Sequence, residues 1–140
     1  MCVDDEPAVL EGLKLTLRKR FDVATATSGI EGLAVLKQKG GAAVVISDMR
    51  MPGMDGAAFL TKVRTLWPDA TRIALTGAPG RDDAAAAINE GQIFRFMSKP
   101  CAPDKLIAAV EAAVRHHQMV TAEKVLLHQT VLGCIRAFIQ

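Results

Sequence analysis

Five polar side chains in this chain fall where they could act together: Asp4, Asp5, Asp48, Thr76 and Lys99. The two N-terminal aspartates follow "MCV", Asp48 follows "AAVVIS", Thr76 closes "RIALT", and Lys99 comes directly after "FRFMS". Alone, each has an ordinary reading as a helix cap, a turn hydroxyl or a surface cation. Together, at the ends of successive apolar runs, they describe a reaction centre. Three carboxylates drawn into one crevice repel and raise one another's pKa unless a cation neutralises them, so the cluster calls for a metal. Oxygen ligands with no His or Cys beside them select a hard ion, and few carboxylates plus water suit Mg²⁺, or Mn²⁺ in its place. Beside such an ion a carboxylate can attack phosphorus and form an acyl phosphate. Lys99 would then supply a point charge to one phosphoryl oxygen, and the Thr76 hydroxyl with nearby backbone N–H groups would hydrogen-bond others.

Bringing these residues together requires a particular scaffold. The short apolar runs "MCV", "DVATA", "AAVVIS", "RIALT" and "FRFMS" alternate with segments of helical spacing, around residues 9–19, 30–38, 57–66 and 83–89, and again after Pro103. That alternation predicts βα units around a parallel sheet. The fold class is therefore α/β, a doubly wound five-stranded parallel sheet. In the flavodoxin-like order 2-1-3-4-5, strands one and three are neighbours where the winding reverses, and Asp4, Asp5 and Asp48 meet at their carboxyl ends. Helix-end signals agree: Ser28 before one start, Gly40-Gly41 and Gly91 beyond two ends, Pro68 after another.

Two segments depart from a tidy domain. The first run has only three residues before Asp4, where strands usually have about five or six; a start that is cut short or misassigned is the favoured reading. At the other end, no helix breaker stands between Pro103 and Gly133. Alternating steps of four and three pick out Leu106, Val110, Ala113, His117, Val120, Lys124, Leu127, Val131, Cys134 and Phe138, mostly apolar, as a seam that leaves the domain and meets a partner. The alternative is a helix packed back on its own domain with a frayed tail. Residues 1–118 are read as the domain and 119–140 as a helical linker able to dimerise. His116 and His117 are read as exposed histidines at a helix end, because adjacent helical side chains diverge.

Composition narrows the class. Half of the residues are apolar and the formal charge is +2, which describes a folded unit with no call for a nucleic-acid partner; the basic run "KLTLRKRF" reads as the wet face of a helix. Three cysteines without CxxC spacing offer neither a disulfide framework nor a zinc site, and no apolar stretch approaches a membrane span or a signal peptide. A cytoplasmic setting without membrane contact is expected.

From Val3 to about Arg115 the chain resembles a response-regulator receiver domain of bacterial two-component signalling, through "VDDEP", "DMRMPGMDG", "LTG" and "KP" in order. The resemblance implies that Asp48 is the phosphoacceptor, that Asp4 and Asp5 hold Mg²⁺ with Asp48 and the backbone carbonyl of Arg50, and that Lys99 binds phosphate. It further implies Thr76 and Phe96 as a switch pair, with a cis Lys99-Pro100 bond. The implied partner is a histidine kinase or phosphotransfer protein. Phosphorylation would draw Thr76 inward, let Phe96 follow, and bias a surface made by the fourth helix, fifth strand and fifth helix. "TAEKVLLHQTVLGCIRAFIQ" is similar to linkers that lead into HD-type phosphohydrolase domains, which places any output domain beyond Gln140. The receiver itself is a signalling domain, an enzyme only toward its own phosphoryl group. Two other classes compete. A haloacid-dehalogenase-like Mg²⁺-dependent aspartyl phosphatase would need a second aspartate at position 50, which is Arg50. A phosphorylation-independent dimerisation module would leave the acidic site without a role.

Overall fold

A computed structural model describes residues 1–77 and 93–139, with side chains placed through residue 132 of the last helix. Five parallel strands, β1 (Cys2–Val3), β2 (Thr25–Ala26), β3 (Val44–Asp48), β4 (Thr71–Thr76) and β5 (Arg95–Ser98), form one sheet in the order β2-β1-β3-β4-β5. The described helices are α1 (Pro7–Leu17), α2 (Gly29–Lys39), α3 (Gly56–Leu66) and α4 (Pro103–Ile139). The expected doubly wound α/β architecture is the observed one. The helix anticipated at 83–89 lies outside the described residues.

Each helix begins where local chemistry provides a start. Pro7 occupies the first turn of α1, where its missing N–H costs nothing, so the helix opens two residues before the expected Val9. Ser28 caps α2 by accepting from the Glu31 N–H at 3.1 Å, while Glu31 reaches back to the Thr27 hydroxyl at 2.8 Å. Asp55 caps α3 through the Ala58 N–H at 2.8 Å. Gly40, at φ 78°, ends α2 in the left-handed conformation that only glycine adopts freely.

The helices divide between the two faces of the sheet. Leu36 of α2 and Phe59, Leu60 and Val63 of α3 join Val3 and Val45 in one core. Leu10, Leu13 and Leu17 of α1 meet Leu106, Val110 and Ala113 of α4 against Cys2, Ile46 and Ile73 on the other. Close approach is extreme at Gly32, where an added Cβ would lie 2.9 Å from the Phe59 ring and 3.0 Å from Val3.

β1 and β2, two residues each, are the shortest elements. With two residues in β1, the ladder to β2 covers only Cys2↔Thr25 and Val3↔Ala26. The expected strand over "DVATA" is accordingly reduced to its last two residues, because Asp22 and Val23 have no β1 residue opposite them. The terminal helix runs on past the body of the protein. Leu106, Val110 and Ala113 are buried, yet every residue from Ala122 to Leu132 is exposed. His116 is exposed as expected and His117 is not, and neither stands at a helix end. Both residues lie well inside the 37-residue helix: His116 stacks on Phe94 with ring centroids 4.9 Å apart, and the half-buried His117 holds its Nδ1 2.7 Å from the Asp69 carbonyl.

Candidate functional site

The sheet order decides which polar residues can meet. β1 and β3 are adjacent, with Val3 opposite Ser47, so Asp4 follows on one strand where Asp48 ends the other. Asp48 is opposite Leu75 in β4, which puts Thr76 one residue farther along the same edge, and Thr76 is opposite Ser98, so Lys99 follows on the outer strand. The Lys99 N–H donates to the Thr76 carbonyl at 2.9 Å and the Lys99-Pro100 peptide is cis. Strand ends thus deliver five functional groups to one edge without help from any long loop.

Asp4, Asp5 and Asp48 each place a carboxylate oxygen within 4.8 Å of the others. Asp4 is fully buried, Asp48 is 6% exposed, and Asp5 is the most open of the three. The Lys99 ammonium bridges the two buried carboxylates, 2.6 Å from Asp4 Oδ2 and 3.2 Å from Asp48 Oδ2. Lys99 is thus shared between two of the three carboxylates. Burial, and then the Asp4 charge, push the Asp48 carboxyl above the ordinary range despite Lys99. For Lys99, burial works against the ammonium, but the hydrogen bond to Asp4 and the charge of Asp48 outweigh it, and its pKa is raised.

Backbone groups fix the two buried carboxylates. The Glu6 N–H donates to Asp4 Oδ1 at 2.9 Å and the Arg50 N–H to Asp48 Oδ1 at 3.4 Å, the latter long for a strong bond. Arg50 itself is exposed beside the site, so its carbonyl stands in the loop that Asp48 opens. Gly56 is a site residue that the sequence reading missed. A Cβ there would lie 2.1 Å from the Asp48 carbonyl oxygen, and the Gly56 N–H donates to the Met49 carbonyl at 3.1 Å, so α3 begins in contact with the strand end. It closes the motif "DMRMPGMDG", directly after the α3 cap Asp55, but it was given no role there. Phe96 is opposite Ala74, two residues before Thr76, and side chains alternate along a strand, so Phe96 and Thr76 share one face. Phe96 is half-buried against the α2–α3 core.

The donor set fits a hard divalent ion: three converging carboxylates, no nitrogen or sulfur ligand in the cluster, and more negative charge than Lys99 offsets. Residues 1–111 match the response regulator receiver domain family. The chain belongs to that family. Receiver domains of response regulators accept a phosphoryl group on an aspartate and relay the signal to output domains. Similar curated proteins include the hydrogenase transcriptional regulatory protein HoxA of Cupriavidus necator, 39% identical over 81% of this chain and 23% of that protein. The DNA-binding transcriptional regulator NtrC of Salmonella typhimurium is 35% identical over 83% of this chain and 24% of its own length. The receiver therefore spans about a quarter of the length of the curated relatives it matches. Among solved structures, the signal receiver domain of an HD domain-containing protein from Pseudomonas fluorescens Pf-5 superposes with a TM-score of 0.80 at 33% identity, covering 84% of this chain and 94% of that one. An adenylate cyclase structure from Rhodopirellula baltica reaches a TM-score of 0.85 at 39% identity, over 91% and 94% of the two chains.

Proposed function

We propose that this receiver takes its phosphoryl group on Asp48, with Asp4, Asp5 and the Arg50 carbonyl as the metal ligands, Lys99 as the phosphate-binding cation, and Thr76 with Phe96 as the switch. The observation that carries the reading is the Lys99 ammonium lying between Asp4 and Asp48 at the edge where Thr76 also ends its strand. When bound, Mg²⁺ would offset the carboxylate charge and polarise phosphoryl oxygens. The chain's own part is positional. Asp48 Oδ forms the new O–P bond as the N–P bond of a phosphohistidine breaks, and the electron pair of that bond stays on the imidazole nitrogen of the donor. Lys99 Nζ is within reach of either buried carboxylate, so it can follow negative charge from the carboxylate to the phosphoryl group. The Thr76 hydroxyl moves toward the new oxygens and Phe96, on the same face, follows it.

In this reading the donor is a histidine kinase or phosphotransfer protein in the cytoplasm. Residues 1–118 form the switch, and 119–140 carry its state, as a dimer, to an output domain beyond Gln140. No helix among the described residues is long and apolar enough to cross a membrane. The test is intact mass after incubation with a small phosphodonor and Mg²⁺. Wild type should gain one phosphoryl group that hydroxylamine removes, as it does from an acyl phosphate, and Asp48→Asn should gain none. Equal uptake by Asp48→Asn overturns the assignment.

A further inference from the structure

Past Ala113, its last buried residue among those described, α4 touches its own domain at one further point. His117 holds Nδ1 2.7 Å from the Asp69 carbonyl, and Lys124 holds Nζ 2.6 Å from Asp69 Oδ1. Seven residues apart, the two lie on one side of the helix, and they are the two members of the four-and-three series from Leu106 to Phe138 that are not apolar. We propose that the Asp69 turn is a clasp, which holds α4 to its own domain as far as Lys124 and thereby withholds this stretch of the seam from the helix of a second copy of the chain.

On the domain side the clasp is a fixed post. The Ala70 N–H closes the turn on the Trp67 carbonyl at 3.0 Å, the Trp67 N–H ends α3 on the Val63 carbonyl, and β4 begins with the Thr71 N–H on the Ala43 carbonyl. Trp67 lies so close to Gly41 that an added Cβ would stand 2.9 Å from its ring. On the helix side the hold is loose. Val120 and Thr121 are the last half-buried side chains among the described residues, and a groove of about 480 Å³ with Gly41, Trp67, Asp69 and His117 in its walls opens beside the contact. The Lys124 and Asp69 side chains are 59% and 33% exposed, so parting them uncovers no packed core and costs little. A contact that weak can be exchanged for another. When two helices pair along a seam, its members face the partner helix, and His117 and Lys124 cannot face Asp69 at the same time. With the clasp closed, the seam left for pairing runs from Leu127 to Phe138, fewer than two heptads; opened, it runs from His117, about three. Sustained pairing takes roughly three heptads or more, so the closed clasp opposes the dimer and the open one permits it. The residue types agree, since a histidine and a lysine in the seam would only weaken it.

Because the withheld positions matter only where the helix pairs, the clasp rests on the dimer reading above, and its test separates the two. Asp69 stands outside the helix, so Asp69→Ala removes the Lys124 contact and leaves every seam residue in place. Two quantities are read on wild type and Asp69→Ala without a phosphodonor: amide hydrogen exchange along α4 in dilute protein, and the dimer dissociation constant by sedimentation equilibrium. Asp69→Ala should exchange roughly threefold faster over residues 121–126, with 106–113 unchanged, and should dimerise roughly threefold more tightly, the size of one exposed ion pair. Asp69→Lys combined with Lys124→Asp rebuilds the pair with its charges exchanged and still sets like charges against each other in the seam, so it should return both quantities to wild type. Unchanged exchange overturns the clasp, and leaves the dimer reading standing where wild type dimerises. Faster exchange with equal or weaker association overturns the withholding, since the freed stretch then gains no partner. Monomers of both proteins at every concentration overturn it as well, and the dimer reading falls with it.

Discussion

Asp48 is kept where its charge is costly, and that cost sets the first expectation. Burial and the neighbouring Asp4 raise its pKa, so across the interval between the ordinary and the raised value the folded chain binds more protons than the unfolded one. Stability therefore falls as pH rises through that interval, and below the ordinary carboxylate range the term vanishes. Without divalent metal at neutral pH, Asp48→Asn should be more stable than wild type by about 1 kcal/mol, and urea melts in EDTA at decreasing pH should show the gap closing. A wild type that is the more stable at neutral pH would contradict the electrostatic account. Gly56→Ala acts at the same strand end by crowding alone. Its Cβ would meet the Asp48 carbonyl at 2.1 Å, backbone against backbone, and we expect a loss of roughly 3 kcal/mol or more in the same melts. These two residues also mark what a sequence can reveal. Asp48 stood out in the sequence through its company, since Asp4, Asp5, Thr76 and Lys99 also stand at the ends of apolar runs. Gly56, although it closes the same motif, showed no role there, because its constraint is a contact between the start of α3 and the end of β3. The same holds for the Glu6 N–H that fixes Asp4.

At the level of elements, α4 is one helix with two environments. The four-and-three spacing runs evenly from Leu106 to Phe138, but among the described residues the sheet and α1 set where its buried part stops. That boundary depends on the length of the sheet edge, which the periodicity of the helix does not encode. Asp69 helps to set the exit direction: its carbonyl meets His117, and its carboxylate lies 2.6 Å from Lys124 Nζ. The ion pair is largely exposed and worth little by itself; the buried side chains do the holding. Leu106→Ala should cost about 2–4 kcal/mol, whereas Leu127→Ala, 64% exposed, should change the stability of dilute protein by less than about 0.5 kcal/mol. Thermal melts of both variants at low concentration check this, and a Leu127→Ala loss as large as that of Leu106→Ala would mean that the projecting half is covered even there.

For the molecule as a whole, the acidic edge and the projecting helix are coupled only if occupancy of one changes the association of the other. Mg²⁺ that binds the folded site would stabilise it by mass action, by about 2.7 kcal/mol at a hundredfold excess over Kd, and Asp5→Asn should blunt that gain while leaving the metal-free fold intact, since Asp5 is the most open of the three clustered carboxylates. Beyond the domain, roughly 30 Å of helix at 1.5 Å per residue presents Met119, Leu126, Leu127 and Val131 at 50–70% exposure. Isolated apolar residues on a surface are ordinary, but a continuous set along an unsupported helix favours a second helix beside it. The bearing of the site on that helix is testable by light scattering with and without beryllofluoride and Mg²⁺, on wild type and Asp48→Ala. We expect wild type to shift toward dimer on addition and Asp48→Ala to stay as it was. A dimer that is constant in every condition would make the helix a permanent joint whose geometry, not its assembly, carries the phosphorylation state. A constant monomer would remove association from the mechanism and leave the helix as a lever held at Asp69.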